Sequence, residues 1–160
     1  MKNDYVVHSI GEVVKNSEGF GIQLNGKTKD ALLGIKDFSH VQIYWWADQL
    51  DTKEMRSIYR LPKPYKKGPE ELGIFATRSP LRPNPLAMTL VPVTFVDEER
   101  GHLGIGFIDA EPGTPVLDIK PYYGMERVKE FSVPMWSSHW PLWYEDAGDF
   151  DWAGEFENAR

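Results

Sequence analysis

A short proline-rich segment concentrates the side chains best suited to binding an anion or a nucleobase. The segment TRSPLRPNP, residues 77–85, holds Arg78, Ser79, Arg82 and Asn84. Its three prolines preset the backbone dihedral φ and bias the preceding residues toward extended conformations, so the segment is rigid before a ligand binds. Such a frame can capture a carboxylate, a phosphate or a nucleobase edge at low entropic cost. The alternative is a crossover whose arginines only pair with acidic side chains, and composition does not decide between the two.

Two candidate proton acceptors, His40 and Asp118, lie in predicted strands. His40 belongs to the apolar segment 38–47, a predicted central strand packed on both faces, and fits a hydrogen-bonded core histidine better than a general base. Asp118 and Lys120 alternate with apolar neighbours, so they point to one face, where they could line a pocket or form an ordinary ion pair. The four histidines lack metal-ligand spacing and the chain has no cysteine, so no metal site is expected.

Short strands separated by turn residues must position these side chains. The predicted strands are residues 6–14, 20–24, 38–47, 72–77, 86–97, 102–109 and 116–123. Pro92 removes a ladder donor from the longest of them and implies an edge or a bulge. A short helix at 52–59 and a proline-broken loop at 61–71 interrupt the series. The spacing predicts a mainly β fold, an antiparallel barrel or sandwich with short helices.

Charge is distributed unevenly along the 160 residues, whose formal net charge is −6. The last sixteen residues contain six acidic residues and one basic residue, whereas the other 144 carry a net charge of −1. Residues 53–82 contain eight basic residues against three acidic ones, a net charge of +5. This basic segment runs into the proline-rich segment and could steer an RNA backbone through Lys63, Lys66 and Lys67. The alternative is a solvated loop whose charges maintain solubility.

The C-terminal region is rich in tryptophan and acidic residues. Trp136, Trp140, Trp143 and Trp152 are expected to cover exposed core or a partner subunit. A base-stacking platform is less favoured, because the surrounding carboxylates would repel phosphates. We expect a barrel domain over residues 1–131 and a Trp-rich acidic extension over residues 132–160. The lack of cysteine, of a membrane-length apolar run and of a signal-peptide pattern favours a cytoplasmic protein.

Three ordered sequence blocks resemble the TsaA-like family, the fold of the TrmO-type tRNA methyltransferases. They are LLGIKDFSHVQIYWW at residues 32–46, GIFATRSPLRPNPLAMTLV at 73–91 and GTPVLDIKPYY at 113–123. The resemblance implies an antiparallel β-barrel that binds S-adenosylmethionine, usually as a homodimer with the cofactor near the subunit interface. In TrmO-type members the methyl group goes to N6 of threonylcarbamoyladenosine, next to the tRNA anticodon.

The resemblance also implies where the cofactor binds. A sulfonium cofactor needs a carboxylate or carbonyl near its positive centre, an arginine for its carboxylate and apolar groups around adenine. The matching cofactor candidates are Asp48, Gln49, Arg78, Met88, Asp109, Gly113 and Thr114. The substrate-binding candidates are Ser79, Arg82, Asn84, Lys120, Lys63, Lys66 and Lys67, and the catalytic candidates are His40 and Asp118.

The chain differs from the TrmO-type pattern at three places. Asp48 stands where the pattern has histidine, and Pro112 where the Asp-Gly-Thr-Pro turn has aspartate. Only five residues separate Val14 from Phe20, whereas bacterial TrmO-type proteins carry a longer loop with a Pro-Arg-Gln element. Two alternatives therefore stay open: a methyltransferase acting on another nucleoside or a small molecule, and a barrel that binds a nucleotide-like ligand without catalysis.

Overall fold

The computed structural model describes residues 4–158, and within them six strands close into an antiparallel barrel. The strands of the chain are β1 (Gly11–Asn16), β2 (Gly19–Leu24), β3 (His40–Trp46), β4 (Arg60–Pro62), β5 (Glu71–Gly73), β6 (Leu86–Asp97), β7 (His102–Ile105) and β8 (Pro115–Pro121). The barrel order is β1-β2-β7-β6-β3-β8, and β4 and β5 form a separate two-stranded sheet. The predicted mainly β fold, an antiparallel barrel, is confirmed.

The helices of the described residues are short. The α-helices are α1 (Lys53–Arg56) and α2 (Trp152–Glu155), and the 3-10 helices are Gly26–Leu32, Ile35–Asp37, Asp48–Leu50, Ile74–Ala76, Gly124–Glu126, Met135–Ser137 and Tyr144–Ala147. Within residues 4–158, none of these helices has the length and apolar character needed to span a bilayer.

Two compact units share the chain. The first comprises described residues 4–51 and 85–126 and holds the barrel, and the second comprises 52–84 and 127–158. This grouping differs from the expected boundary after residue 131, because residues 52–84 belong with the C-terminal region and not with the barrel strands.

Alternation of side chains along β3 builds the barrel core. Val41 and Ile43 are fully buried inside, whereas Gln42 and Tyr44 lie on the outer face and are half-buried. The prediction that this strand is packed on both faces is therefore wrong within the barrel unit. The inner side chains of β3 join Val13, Ile22 and the buried residues of the other strands in one apolar cluster.

The longest strand is confirmed over its predicted length, residues 86–97. Its pairing with β7 shifts register between Val93 and Phe95, immediately after Pro92, as the missing ladder donor predicts. The predicted strand 72–77 is wrong for its second half, because pairing ends at Gly73 and a 3-10 turn, Ile74–Ala76, follows. The predicted strand 6–14 pairs only from Gly11 onward.

The hairpin between β1 and β2 is as tight as the sequence indicates. Its loop is Ser17-Glu18, the backbone N–H of Glu18 donates to Asn16 Oδ1 at 2.8 Å, and Gly19 adopts φ +110°. A left-handed backbone at that position favours glycine. Such a loop leaves no residues for a Pro-Arg-Gln element.

The C-terminal segment of the second unit is bound to the basic segment by backbone contacts. The N–H of Lys66 donates to Glu155 O, and the N–H of Glu157 donates to Pro64 O, both at 3.0 Å. Tyr65 and Phe156 form an isolated antiparallel bridge. Residues 155–157 of the acidic C-terminal segment therefore pack along residues 64–66.

Replacing Ile43 by alanine should destabilise the barrel strongly. The side chain is fully buried, so its loss removes apolar burial and leaves a cavity that costs about 2–5 kcal/mol of the free energy of unfolding. Leu33→Ala is the control, because Leu33 is 82% exposed and its loss should leave stability nearly unchanged. Denaturant unfolding measures both variants, and equal stabilities would contradict this core.

Candidate functional site

The end of β3 and the starts of β6 and β8 meet at one end of the barrel, and candidate site residues lie in the connections next to these strand ends. The last residue of β3, Trp46, pairs with Leu86, the first residue of β6. The preceding Trp45 pairs with Val116, near the start of β8. The end of β3 and the starts of β6 and β8 therefore lie side by side, and we call this region the β3 end of the barrel.

Asp48 and Gln49 lie on the 3-10 turn that leaves β3 at this end, and both are exposed. The N–H of Ala47 donates to Pro85 O at 2.9 Å, and the Trp46 indole N–H donates to Asp51 Oδ2 at 2.9 Å. These bonds fix the turn to the barrel while its carboxylate and amide face solvent. The turn can therefore present an anion and an amide to a ligand.

The connection into β8 is anchored to β1. The N–H of Gly113 donates to Val13 O at 2.8 Å, and the N–H of Val13 donates to Thr114 O at 3.0 Å. Thr114 is buried and Asp109 is exposed in the same connection. Gly113 has φ +91°, and a Cβ added there would meet nothing within 4 Å, so a ligand can approach this backbone closely.

Met88, Tyr44 and Asp118 form a row across the outer face of β6, β3 and β8, because Tyr44 pairs with both of the others. Lys120 Nζ lies 2.5 Å from Asp118 Oδ2, and the N–H of Ile119 donates to Asp118 Oδ1 at 2.9 Å. The hydrogen bond and the charge of Asp118 raise the pKa of Lys120. The ion-pair alternative for Asp118 and Lys120 is thus realised, on a half-exposed surface beside Met88.

His40 lies away from this row. It begins β3, opposite Pro92, about 20 Å along the strand from Trp46 at the usual rise per residue. Its Nδ1 lies 2.9 Å from Ser39 Oγ, and the residue is half-buried on the outer face, not in the core. The structure does not bring His40 together with Asp48, Gln49 or Gly113.

Hydrogen bonds within the second unit hold the proline-rich segment in shape. Thr77 Oγ1 accepts from the N–H of Ser79, and Ser79 Oγ accepts from the N–H of Leu81. Arg82 Nη1 donates to the carbonyls of Thr77 and Ser79 at 3.4 and 3.3 Å. Arg82 therefore supports the loop itself, whereas Arg78 and Asn84 are exposed.

The proposed RNA track is partly occupied by acidic side chains of the same unit. Lys63 Nζ donates to Glu70 Oε1 at 2.8 Å, and Lys67 Nζ lies 3.8 Å from Glu155 Oε1. Lys66 is exposed. The acidic C-terminal segment thus covers part of the basic segment, which the sequence alone leaves undecided.

Glu155 is the centre of a polar cluster. His139 Nε2 lies 2.8 Å from its Oε1, and the Trp140 indole N–H donates to its Oε2 at 3.2 Å. The His139 hydrogen bond is the main cause that lowers the pKa of Glu155, and Lys67 adds to it through its charge. This cluster fixes α2 to the tryptophan-rich region.

An aromatic groove in the second unit was not predicted. It has a volume of about 390 Å³ and is lined by residues of the segments 65–78 and 131–142. Its aromatic side chains are separated by up to 75 positions in sequence, so no periodic pattern marks them. The usable signal was the tryptophan content of the C-terminal region, which indicates a covered apolar surface.

Comparison with known proteins identifies similar families and structures. The family model described as the tRNA-methyltransferase O N-terminal domain matches residues 10–126. An S-adenosyl-L-methionine-binding protein of Archaeoglobus fulgidus is 38% identical over 93 residues, which are 58% of this chain and 61% of the relative. A tRNA (adenine(37)-N6)-methyltransferase of Eikenella corrodens is 34% identical over 123 residues, which are 76% of this chain and 66% of the relative.

A solved structure is similar in fold. The crystal structure of TrmO from Pseudomonas aeruginosa superposes with a TM-score of 0.61 at 26% identity, covering 81% of this chain and 61% of that chain. The chain therefore spans about three fifths to two thirds of the length of these proteins.

Docking of the C-terminal segment should depend on the Glu155 carboxylate. Folding lowers the pKa of Glu155, so its ionised carboxylate stabilises the docked segment. This stabilisation is complete at pH values above the unfolded pKa of Glu155 and is lost as the pH falls through its folded pKa. Hydrogen exchange of residues 152–158 should therefore accelerate on acidification. Glu155→Gln should show fast exchange already at neutral pH.

Glu157→Gln is the matched control, because Glu157 is exposed in the same segment. This variant should retain the slow exchange of the wild type at neutral pH. Slow exchange in Glu155→Gln at neutral pH would contradict the role of the carboxylate.

Proposed function

The chain belongs to the tRNA-methyltransferase O N-terminal domain family, and we propose that it is an S-adenosylmethionine-dependent methyltransferase acting on N6 of threonylcarbamoyladenosine next to the tRNA anticodon. The names of two relatives, an S-adenosyl-L-methionine-binding protein and a tRNA (adenine(37)-N6)-methyltransferase, support this proposal. The structural observation that carries it is the meeting of candidate cofactor residues at the β3 end of the barrel.

The residues at that end suit the cofactor. The exposed Asp48 carboxylate can attract its cationic sulfonium and amino groups, and Gln49 can hydrogen-bond beside it. Met88 and the Tyr44 ring offer apolar surface on the adjoining outer face for an adenine. Gly113, which has open space above its backbone, allows close approach. The cofactor role that the resemblance implies for Arg78, a residue of the second unit, stays a prediction.

When bound, the cofactor supplies an electrophilic methyl group that is attacked in line by the substrate nitrogen. The chain must hold nucleophile, methyl carbon and sulfur in line, and orientation of this kind supplies about 7 kcal/mol or more. It must also accept the proton of the attacking nitrogen. Asp118 is the better placed of the two predicted acceptors, since it shares the outer row with Met88 while His40 lies at the far end of β3.

We further propose that the protein acts as a homodimer in the cytoplasm, where its tRNA substrate resides. The N-terminal arm offers apolar surface for a subunit contact, because Tyr5, Val6 and Val7 are 86%, 79% and 63% exposed. Such exposed apolar surface is typical of protein interfaces.

A methyltransferase for another nucleoside or a small molecule is the second candidate function. The observation that favours it is the tight β1–β2 loop, which has no room for the Pro-Arg-Gln element of TrmO-type proteins. A second supporting feature is the ion pair of Lys67 with Glu155, which reduces the positive charge that the basic segment can offer to a tRNA.

Cofactor binding and methyl transfer test the proposal. Isothermal titration should show S-adenosylmethionine binding that Asp48→Asn weakens about tenfold or more, as expected for loss of a charged hydrogen-bond partner. Asp37→Asn, an exposed carboxylate on another turn of the same unit, should bind like the wild type. Labelled methyl should enter tRNA carrying threonylcarbamoyladenosine and not tRNA lacking that modification.

Each contrary result selects an alternative. No cofactor binding would indicate a barrel that holds another nucleotide-like ligand. Cofactor binding with label transferred to a metabolite extract, and none to tRNA, would indicate the small-molecule enzyme.

The two proton acceptors are separated by paired variants. Asp118→Asn should lower kcat by about 10²–10⁴-fold, the usual contribution of a general base, while leaving cofactor affinity unchanged. His40→Gln should retain kcat, because His40 is remote from the β3 end. Single-turnover rates of the two variants give the readout. The opposite ranking of the two variants would contradict this assignment.

A further inference from the structure

The groove of the second unit is built largely from aromatic side chains. Among its described lining residues, Tyr65, Phe75, Phe131, Trp136 and Trp140 are aromatic. Its volume of about 390 Å³ lies toward the lower end of the usual range for small-ligand sites, about 300–1,000 Å³. The groove therefore has room for a flat ring system of modest size.

Its floor is preorganised by ring packing. Tyr65 and Trp136 are stacked with ring centroids 4.8 Å apart, and Trp140 meets both edge-on at 5.3 and 5.5 Å. Burial raises the pKa of the Tyr65 hydroxyl, while a hydrogen bond from the Arg78 backbone opposes that rise. The floor is thus tied directly to the proline-rich segment.

The rim of the groove presents aromatic rings to solvent. Phe75 is 79% exposed and Phe131 is 59% exposed. Aromatic residues that line a groove and stay exposed gain apolar burial only when the groove is filled. A planar ligand can stack on them at little ordering cost.

The charges around the groove suit an anionic polymer. Among the described lining residues, Arg78 alone carries a formal charge. Residues 131–142, which supply one wall, contain no aspartate, glutamate, lysine or arginine. Glu155 is held by Lys67, His139 and Trp140, so its charge is compensated internally. The acidic residues whose repulsion of phosphates argued against base stacking therefore lie at residues 145–157 and not in the groove wall.

The two units also differ in total charge. Residues 1–51 and 85–126 contain fourteen acidic and seven basic residues, a net charge of −7. Residues 52–84 and 127–160 contain ten acidic and eleven basic residues, a net charge of +1. RNA contact is therefore electrostatically less costly on the second unit.

We propose that this groove binds an unstacked nucleobase from a single-stranded loop of the RNA substrate, with the base stacked on Phe75 and Phe131. The proposal rests on the proposed function for its choice of RNA. Proteins that recognise RNA loops commonly stack splayed bases on aromatic side chains and arginine. The groove would thereby supply a base-binding site in addition to the candidate cofactor residues of the barrel.

The test measures RNA affinity of full-length variants without cofactor. The probe is an anticodon stem-loop RNA carrying 2-aminopurine in its loop, read by fluorescence quenching and anisotropy. Phe75→Leu retains an apolar side chain but removes the ring, and should weaken binding about 5- to 100-fold, the usual range for one stacked base. Phe75→Tyr retains the ring and should bind within about twofold of the wild type.

The matched control is Tyr59→Leu, which removes an exposed ring of the same unit outside the groove and should leave affinity unchanged. Because stacking is not ionic, Phe75→Leu should reduce affinity equally at each salt concentration and leave the salt slope unchanged.

Two results would overturn the proposal. They are wild-type RNA affinity in Phe75→Leu and equal losses in Phe75→Leu and Tyr59→Leu. If wild-type affinity in Phe75→Leu came with an altered oligomeric state by light scattering, the groove would be assigned to a second copy of the chain. Since the assay contains no cofactor, loss of base binding is distinguishable from failure of methyl transfer.

Discussion

The pairing of β3 on both of its sides is the constraint on which the barrel and its candidate site depend. β3 hydrogen-bonds to β6 along its whole length and to β8 over most of it. A shift of one residue in either register would turn Val41 and Ile43 outward and bring Tyr44 into the core. The same register that buries the core therefore places Met88, Tyr44 and Asp118 in one row and brings three strand ends together.

Local sequence signals predicted the parts of the fold whose causes are local. A long strand-like segment with an internal proline predicted β6 and its bulge, and the five residues between Val14 and Phe20 predicted a short β1–β2 connection. The strand predicted at 72–77 was half wrong, because LGIFAT has strand-like composition but finds a partner strand only for its first residues. Strand pairing is a long-range property that composition cannot specify.

The candidate site, too, was predictable from the sequence only where its causes are local. The ordered blocks predicted which residues follow β3 and precede β8, but not that these two connections would lie side by side. The aromatic groove joins aromatic side chains up to 75 positions apart, and the docking of residues 155–158 along 62–67 joins segments nearly a hundred positions apart. The sequence showed opposite charges in these two segments, yet only the structure shows that they contact each other.

Two of the three departures from the TrmO-type pattern make the barrel unit more negative, and the third, Pro112 in place of aspartate, removes one negative charge. The tight hairpin removes the arginine of the Pro-Arg-Gln element, and Asp48 adds a negative charge where the pattern has histidine. Both changes make the barrel unit more negative, in keeping with its net charge of −7. A cationic sulfonium cofactor is compatible with such a surface, whereas an RNA backbone is repelled by it. Under the proposed function, contact with an RNA is electrostatically less costly on the second unit, whose net charge is +1 and which holds the basic segment and the aromatic groove.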